Sequence, residues 1–172
     1  MTTEPKTPAN GKHTDNGRPR GFSSLTPFIA LQDARTALSF YTEVFGARLV
    51  SSSELEGMII HAELDFGCGR LQLGEGLEGY NLIPANPDQE ITQFSLGIYV
   101  PDVDRVVEAA IARGAFLREP IAQFVSGDRF GSIRDPFGIR WSVMTRVEDL
   151  SDDESARRVA AWLAESSNQT PE

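Results

Sequence analysis

One order of signals occurs twice in this chain, offset by the 69 residues that separate Asp33 from Asp102. In the first copy an apolar run, Pro27 to Leu31, meets Asp33, and a helical pattern then stops at Gly46-Ala47. In the second, a run from Phe94 to Val100 meets Asp102, and the pattern stops at Gly114-Ala115. Three short strand-like segments follow each helix. Duplicated strand–helix–strand–strand–strand units predict two similar half-sheets with a groove between them. Function is to be sought in that groove.

The local chemistry supports each element. Asp33 can accept the orphan amides of a first helical turn. Ala34, Ala37, Leu38, Tyr41 and Phe45 follow at helical spacing, and Gly46 supplies a left-handed stop. Asp102 opens the second helix after Pro101, with Val103, Val106, Val107, Ala110 and Ile111 predicted to line its buried face and Gly114 to end it. The strands alternate. Ile60, Ala62 and Leu64 should share one face and Ile59, His61 and Glu63 the other, while Leu71 and Leu73 oppose Gln72. Trp141 and Val143 oppose Arg140, Ser142 and Met144. If the more apolar face carries the helix, the mixed face lines the inside of the curl. Polar groups there are costly in a sealed core, so a wet or ligand-filled groove suits them better.

Composition narrows the partners. A net charge of −9 over 172 residues disfavours nucleic acid and anionic membranes, both of which need a basic face. No apolar stretch approaches a membrane span or a signal core. With Cys68 as the single cysteine, no internal disulfide forms, and a cytoplasmic location is expected. Residues 1–24 lack the apolar content to offset ordering entropy and read as a disordered tail that includes His13. Ser151-Asp152-Asp153-Glu154 reads as a capping box. It opens a helix whose Val159, Trp162 and Leu163 form a stripe able to dock on the body. Residues 167–172 should fray.

Several phrases together resemble one family. They are Ala37-Leu38-Ser39-Phe40-Tyr41 with Phe45-Gly46, Asp135-Pro136-Phe137-Gly138 before the last strand, and the paired β-α-β-β-β order. Over roughly Leu25 to Thr145 the chain is similar to the vicinal oxygen chelate superfamily of glyoxalase I, extradiol dioxygenases and the fosfomycin and bleomycin resistance proteins. Gly127-Asp128-Arg129-Phe130-Gly131, Trp141 and Val147-Glu148-Asp149-Leu150-Ser151 resemble a small bacterial glyoxalase-like subgroup, often dimeric and mostly without assigned chemistry. The resemblance implies an α+β fold in which two tandem βαβββ modules form curled mixed sheets around a central groove, with the helices outside. The domain would span 25–147, with modules at 25–75 and 92–147 and an extra C-terminal helix at 148–166.

Metal-dependent members of the superfamily carry ligands at inward strand positions that the resemblance places near Thr26, Gln72, Ser95 and Ser142. Hydroxyls and an amide are poor sole ligands for a transition metal. His61 is the one histidine outside the expected tail, so a two-histidine iron site cannot be built and a dioxygenase is disfavoured. No metal site and no cofactor are therefore expected, although an all-oxygen magnesium or manganese site stays open.

His61 and Glu63 are the candidate catalytic pair, either exchanging a proton with a ligand or merely satisfying each other on a wet sheet face. Asp128 and Arg129 should lie in a mobile loop, where Arg129 either reaches a ligand or pairs with an acidic neighbour. Phe28, Gln72, Tyr99, Phe130 and Met144 are further candidate ligand contacts, giving an adaptable aromatic wall. Phe124 belongs to that wall or to the core. The expected function is metal-independent binding of a partly apolar metabolite or antibiotic by a homodimer. The alternative is a glyoxalase-like lyase or isomerase, with or without a divalent metal, that abstracts a proton next to a carbonyl. A third reading is an interaction protein with an empty groove.

Overall fold

The computed structural model describes residues 7–77, 79 and 81–167. In chain order the elements are β1 (Thr14–Asp15), β2 (Arg18–Pro19), β3 (Phe28–Leu31), α1 (Ala34–Phe45), β4 (Arg48–Leu55), β5 (Met58–Asp65) and β6 (Arg70–Glu75). They continue with β7 (Ser95–Tyr99), α2 (Val103–Ala112), β8 (Phe116–Gln123), β9 (Asp128–Arg134), β10 (Arg140–Arg146) and α3 (Asp152–Ser167). The chain divides into two compact units, Met1–Pro84 and Ala85–Glu172. Each holds one four-stranded mixed sheet, ordered β3-β6-β5-β4 in the first and β7-β10-β9-β8 in the second. In both, the first and last strands run parallel and the remaining pairs antiparallel. The duplicated βαβββ order is thus a duplicated topology, and the fold is α+β.

In the first unit, Asp33 opens α1 as the sequence predicts. Its Oδ1 accepts the Thr36 amide at 2.9 Å and its Oδ2 accepts the Thr36 hydroxyl at 2.6 Å. Those two bonds favour the carboxylate and hold its pKa below the usual value. Gly46 ends the helix with φ at 70°, a conformation that costs a side-chain-bearing residue dearly. Ala34, Ala37, Leu38, Phe40, Tyr41 and Val44 are buried, so α1 lays one face against β4, β5 and β6. Beneath it lie Ile29, Leu31, Ile59, Ala62, Leu64, Leu71 and Leu73. Each large aliphatic there contributes about 2 kcal/mol by leaving water.

One predicted face assignment changes. Ile60 is only partly buried, whereas Ile59 is 2% exposed. The reason is a bulge: Ser53 pairs with His61 but the next residue, Glu54, pairs with Ile59. The extra residue turns Ile59 onto the helix-bearing face with Ala62 and Leu64. Beside the bulge β5 approaches β6 so closely that a Cβ on Gly74 would lie 2.4 Å from the Ile60 carbonyl oxygen. Only glycine fits there.

In the second unit, Asp102 caps α2 by accepting the Arg105 amide at 3.0 Å. Val103, Val107 and Ala110 are buried, but Val106 is only partly covered and Ile111 is 43% exposed. The 10-residue helix therefore rests on a stripe narrower than the five positions predicted, with Val106 and Ile111 flanking it. Ile133, Trp141 and Val143 form the floor of this core. Asp128 and Arg129, expected in a mobile loop, instead begin strand β9. The reversal lies just before them, with the Gly127 amide donating to the Phe124 carbonyl at 3.1 Å.

The C-terminal helix begins as a half-formed capping box. Ser151 Oγ accepts the Glu154 amide at 3.2 Å, but the Glu154 carboxylate turns forward to Arg157 and Arg158 instead of back. Those two arginines lower its pKa to about 2. No α3 side chain is buried. The predicted stripe meets the body at Trp162, whose ring stands edge-on to Phe124 at 5.1 Å, while Leu163 remains 52% exposed. Residues 168–172, most of the segment expected to fray, lie outside the described residues. So do residues 1–6 of the expected tail. Within that tail β1 and β2 pair, and Arg20 donates to the Gly11 carbonyl from two nitrogens. Among the described residues no helix is long and apolar enough to cross a membrane.

Candidate ligand-binding faces

Each sheet has one face covered by its helix and one left without a helix. Strand register decides which candidate residues share the helix-free face. In the first unit Phe28, Gln72, Glu63 and Ser51 lie abreast across β3, β6, β5 and β4. His61 stands two residues along β5 from Glu63, on the same side. The Phe28 and His61 rings approach with centroids 6.1 Å apart. Phe28, His61, Glu63 and Gln72 are thereby brought together.

Glu63 is not a free base, however. It is 5% exposed and ion-paired with Arg70, which projects from the same face. The Arg70 Nε donates to the Gly21 carbonyl at 3.2 Å, and its guanidinium lies 4.6 Å from the centroid of the Phe22 ring. Asp65 adds a weaker contact to Arg70 at 3.9 Å. Residues 21 and 22 therefore cover a buried ion pair, and among the described residues no hydrogen bond or ion pair joins Glu63 to His61. His61 faces this side half-buried, with the Phe28 ring as its aromatic neighbour.

In the second unit the helix-free face is arranged in transverse rows. Ser95, Arg140, Arg134 and Phe116 form the first. Gly97, Ser142, Ser132 and Glu119 form the second, and Tyr99, Met144, Phe130 and Ala122 the third. Tyr99, Phe130 and Met144 are thus brought side by side. Arg129 is not with them. It precedes Phe130 by one residue and so points to the opposite, helix-bearing face, where its Nε and Nη2 donate to both Asp104 oxygens at 2.7 and 2.6 Å. This pairing lowers the Asp104 pKa and raises that of Arg129. Asp128 does face the helix-free side, but accepts the Arg146 Nε at 2.7 Å and the Ser126 hydroxyl at 2.7 Å. Hydrogen bonds to Tyr99 and Asp128 raise the Arg146 pKa, the first being the larger influence.

The positions where the family resemblance would put metal ligands carry Thr26, Gln72, Ser95 and Ser142. In the second unit the two serine hydroxyls lie 3.2 Å apart and hydrogen-bond each other. In the first, Gln72 stands between Phe28 and Glu63. Among the described residues no three His, Cys, Asp or Glu side chains cluster so as to hold a metal. Neutral hydroxyls and an amide do not match a divalent transition metal, so these residues do not fit one. Sequence reasoning overlooked Arg134 and Arg140 as site residues. Their signal was present in the alternation of the last two strands, which places both on the mixed face.

The comparisons with known proteins agree with this geometry. The family model described as Glyoxalase/Bleomycin resistance protein/Dioxygenase superfamily matches residues 24–143. An uncharacterized protein of Mycobacterium tuberculosis is 29% identical over 136 residues, covering 76% of this chain and 79% of that protein. Among solved structures, TioX from Micromonospora sp. ML1 is 28% identical with a TM-score of 0.58, over 72% of this chain and 98% of its own. The genomically encoded fosfomycin resistance protein FosX from Listeria monocytogenes, complexed with Mn(II) and sulfate, is 14% identical with a TM-score of 0.59. That match covers 80% of this chain and 97% of the FosX chain and shows a shared fold. With two βαβββ units and a family model that matches residues 24–143, most of its length, the chain belongs to the glyoxalase/bleomycin resistance protein/dioxygenase superfamily.

Proposed function

We propose that this protein binds a partly apolar small molecule, a metabolite or an antibiotic, on the helix-free faces of its sheets without using a metal ion. The observation that carries this reading is the chemistry of those faces. They present aromatic and thioether surface (Phe28, Tyr99, Phe130, Met144) beside neutral hydrogen-bonding groups (Gln72, Ser95, Ser142). The positions equivalent to metal ligands hold no imidazole, thiolate or carboxylate. A general-base role for Glu63 is opposed by its engagement with Arg70, which leaves His61 as the titratable group positioned to meet a ligand.

Thermal-shift and calorimetric titration of the full chain with hydrophobic antibiotics and with aldehyde–thiol adducts tests this. Binding that persists in chelator, without turnover of the adducts, is expected. His61→Ala should weaken it by about tenfold through loss of one hydrogen bond to a desolvated ligand. Turnover of an adduct would instead support the lyase or isomerase alternative. No shift with any compound would leave an interaction protein.

We also infer that the chain acts as a homodimer. Strand β4, an edge of its sheet, is exposed along its whole length and presents Leu49, Val50 and Leu55. Sedimentation equilibrium should give twice the chain mass at micromolar concentration. A monomer throughout would refute it.

A further inference from the structure

The second sheet's helix-free face has a polarity gradient, and one charge on it has no counter-ion among the described residues. Three arginines project there. Arg146 is matched by Asp128 at 2.7 Å and Arg140 by Glu119. Arg134 has no carboxylate partner among the described residues. It is 8% exposed, its Nη1 donates to the Gln89 carbonyl at 2.7 Å, and its guanidinium lies 5.0 Å from the centroid of the Phe116 ring. Its Nε is buried and has no acceptor among the described residues. A guanidinium withdrawn from water with only a carbonyl dipole and a ring to face is poorly compensated. An anion nearby would correct that.

The neighbours of Arg134 suit an anion. Arg140 lies directly opposite it on β10, and Ser95 lies opposite Arg140 on β7. Arg140 is held in place by its Nε, which donates to the Ser132 hydroxyl at 3.2 Å. Ser95 Oγ donates to the Arg140 carbonyl at 3.4 Å and bonds the Ser142 hydroxyl at 3.2 Å, so it reaches an anion by exchanging the longer of the two bonds. Glu119 offsets the Arg140 charge but not that of Arg134, so the two arginines side by side carry one uncompensated positive charge. Four strand residues farther on, about 13 Å at 3.3 Å per residue, the same face becomes aromatic and thioether: Tyr99, Met144 and Phe130. Between the two ends Gly97 contributes no side chain.

From this gradient we propose that the second sheet binds an aryl carboxylic acid, or an equally sized aromatic oxyanion. The anionic head lies over Arg134, Arg140 and Ser95, and the ring system lies along Tyr99, Met144 and Phe130. This rests on the small-molecule-binding reading and names its ligand class.

The test is calorimetric titration of the full chain with a short series of two- and three-ring aryl carboxylates, including biphenyl-4-carboxylate, each beside its primary amide. The carboxylates should bind about tenfold tighter than the amides and weaken as salt rises. Arg140→Gln lies at a partly exposed position and should bring carboxylate affinity down to about that of the amide. Arg134→Lys should reduce it, since a point charge replaces a fork. Equal affinity of acid and amide in the parent protein overturns the anionic head but leaves small-molecule binding intact. Binding of neither overturns the proposal. A carboxylate preference that survives Arg140→Gln and Arg134→Lys overturns the assigned residues.

Discussion

Asp135→Ala is expected to lower the stability of the second unit by about 4 kcal/mol. Asp135 is 1% exposed, and its two oxygens serve three donors. Oδ1 accepts the amides of Phe137 at 3.0 Å and Ile139 at 2.9 Å, and Oδ2 accepts the Trp141 indole N–H at 2.9 Å. Gly138, with φ at 91°, lets the backbone turn tightly enough for both amides to reach the same oxygen. The carboxylate therefore joins the turn before β10 to the core beneath α2. Removing it orphans an amide and an indole N–H in dry surroundings, each costing about 1–3 kcal/mol, and frees the turn as well. Asp135→Asn should cost less, because one oxygen still serves the backbone while the new amide N–H confronts the indole donor. Both tryptophans, Trp141 and Trp162, lie in this unit. Urea unfolding followed by tryptophan fluorescence is thus the direct readout. An alanine variant with an unchanged midpoint would contradict the assignment.

Glu63→Ala should destabilise the first unit by about 3 kcal/mol for a different reason. Glu63 and Arg70 have side chains only 7% and 10% exposed. Truncating the acid leaves Arg70 under Phe22 with the Gly21 carbonyl and a distant Asp65. Its charge is then largely uncompensated. The double variant Glu63→Leu with Arg70→Met should recover most of the loss, because removing both charges also removes the desolvation penalty. This unit contains no tryptophan, so amide hydrogen exchange in β5 and β6 is the appropriate measurement. If the double variant is no more stable than the single one, the ion pair is not the source of the effect. The same experiment bears on chemistry: a glutamate whose loss is repaired by an apolar pair serves structure rather than proton transfer.

Much of the fold was legible in residues with unambiguous local chemistry. Asp33 and Asp102 could only cap helices, Gly46 could only end one, and the offset between the two aspartates announced the repeated topology. What escaped was set by tertiary geometry. The bulge that exchanges Ile60 for Ile59 leaves no mark in the alternation, because it arises from how β4 and β5 register. The narrowness of the α2 stripe depends on the floor it meets, not on its own periodicity. For the candidate site, alternation put His61, Gln72 and Met144 on the mixed faces, and strand register sets Phe28, Tyr99 and Phe130, expected only as an aromatic wall, beside them. It did not separate Arg129 from Phe130, although adjacent strand residues must point apart; reading the segment as a loop hid that rule. Nor could it show that Glu63 is taken by Arg70, since the clamp is completed by Gly21 and Phe22, 49 and 48 positions earlier in the chain than Arg70.

On the proposed reading these sheet faces hold a ligand with neutral and cationic groups instead of a bound cation. Elemental analysis of the purified full chain, paired with ligand titration before and after chelation, addresses it most directly. Substoichiometric metal and an affinity that chelation leaves unchanged are expected. Stoichiometric nickel, zinc, iron or manganese, whose removal abolishes binding and whose return restores it, would rule out metal-independent binding.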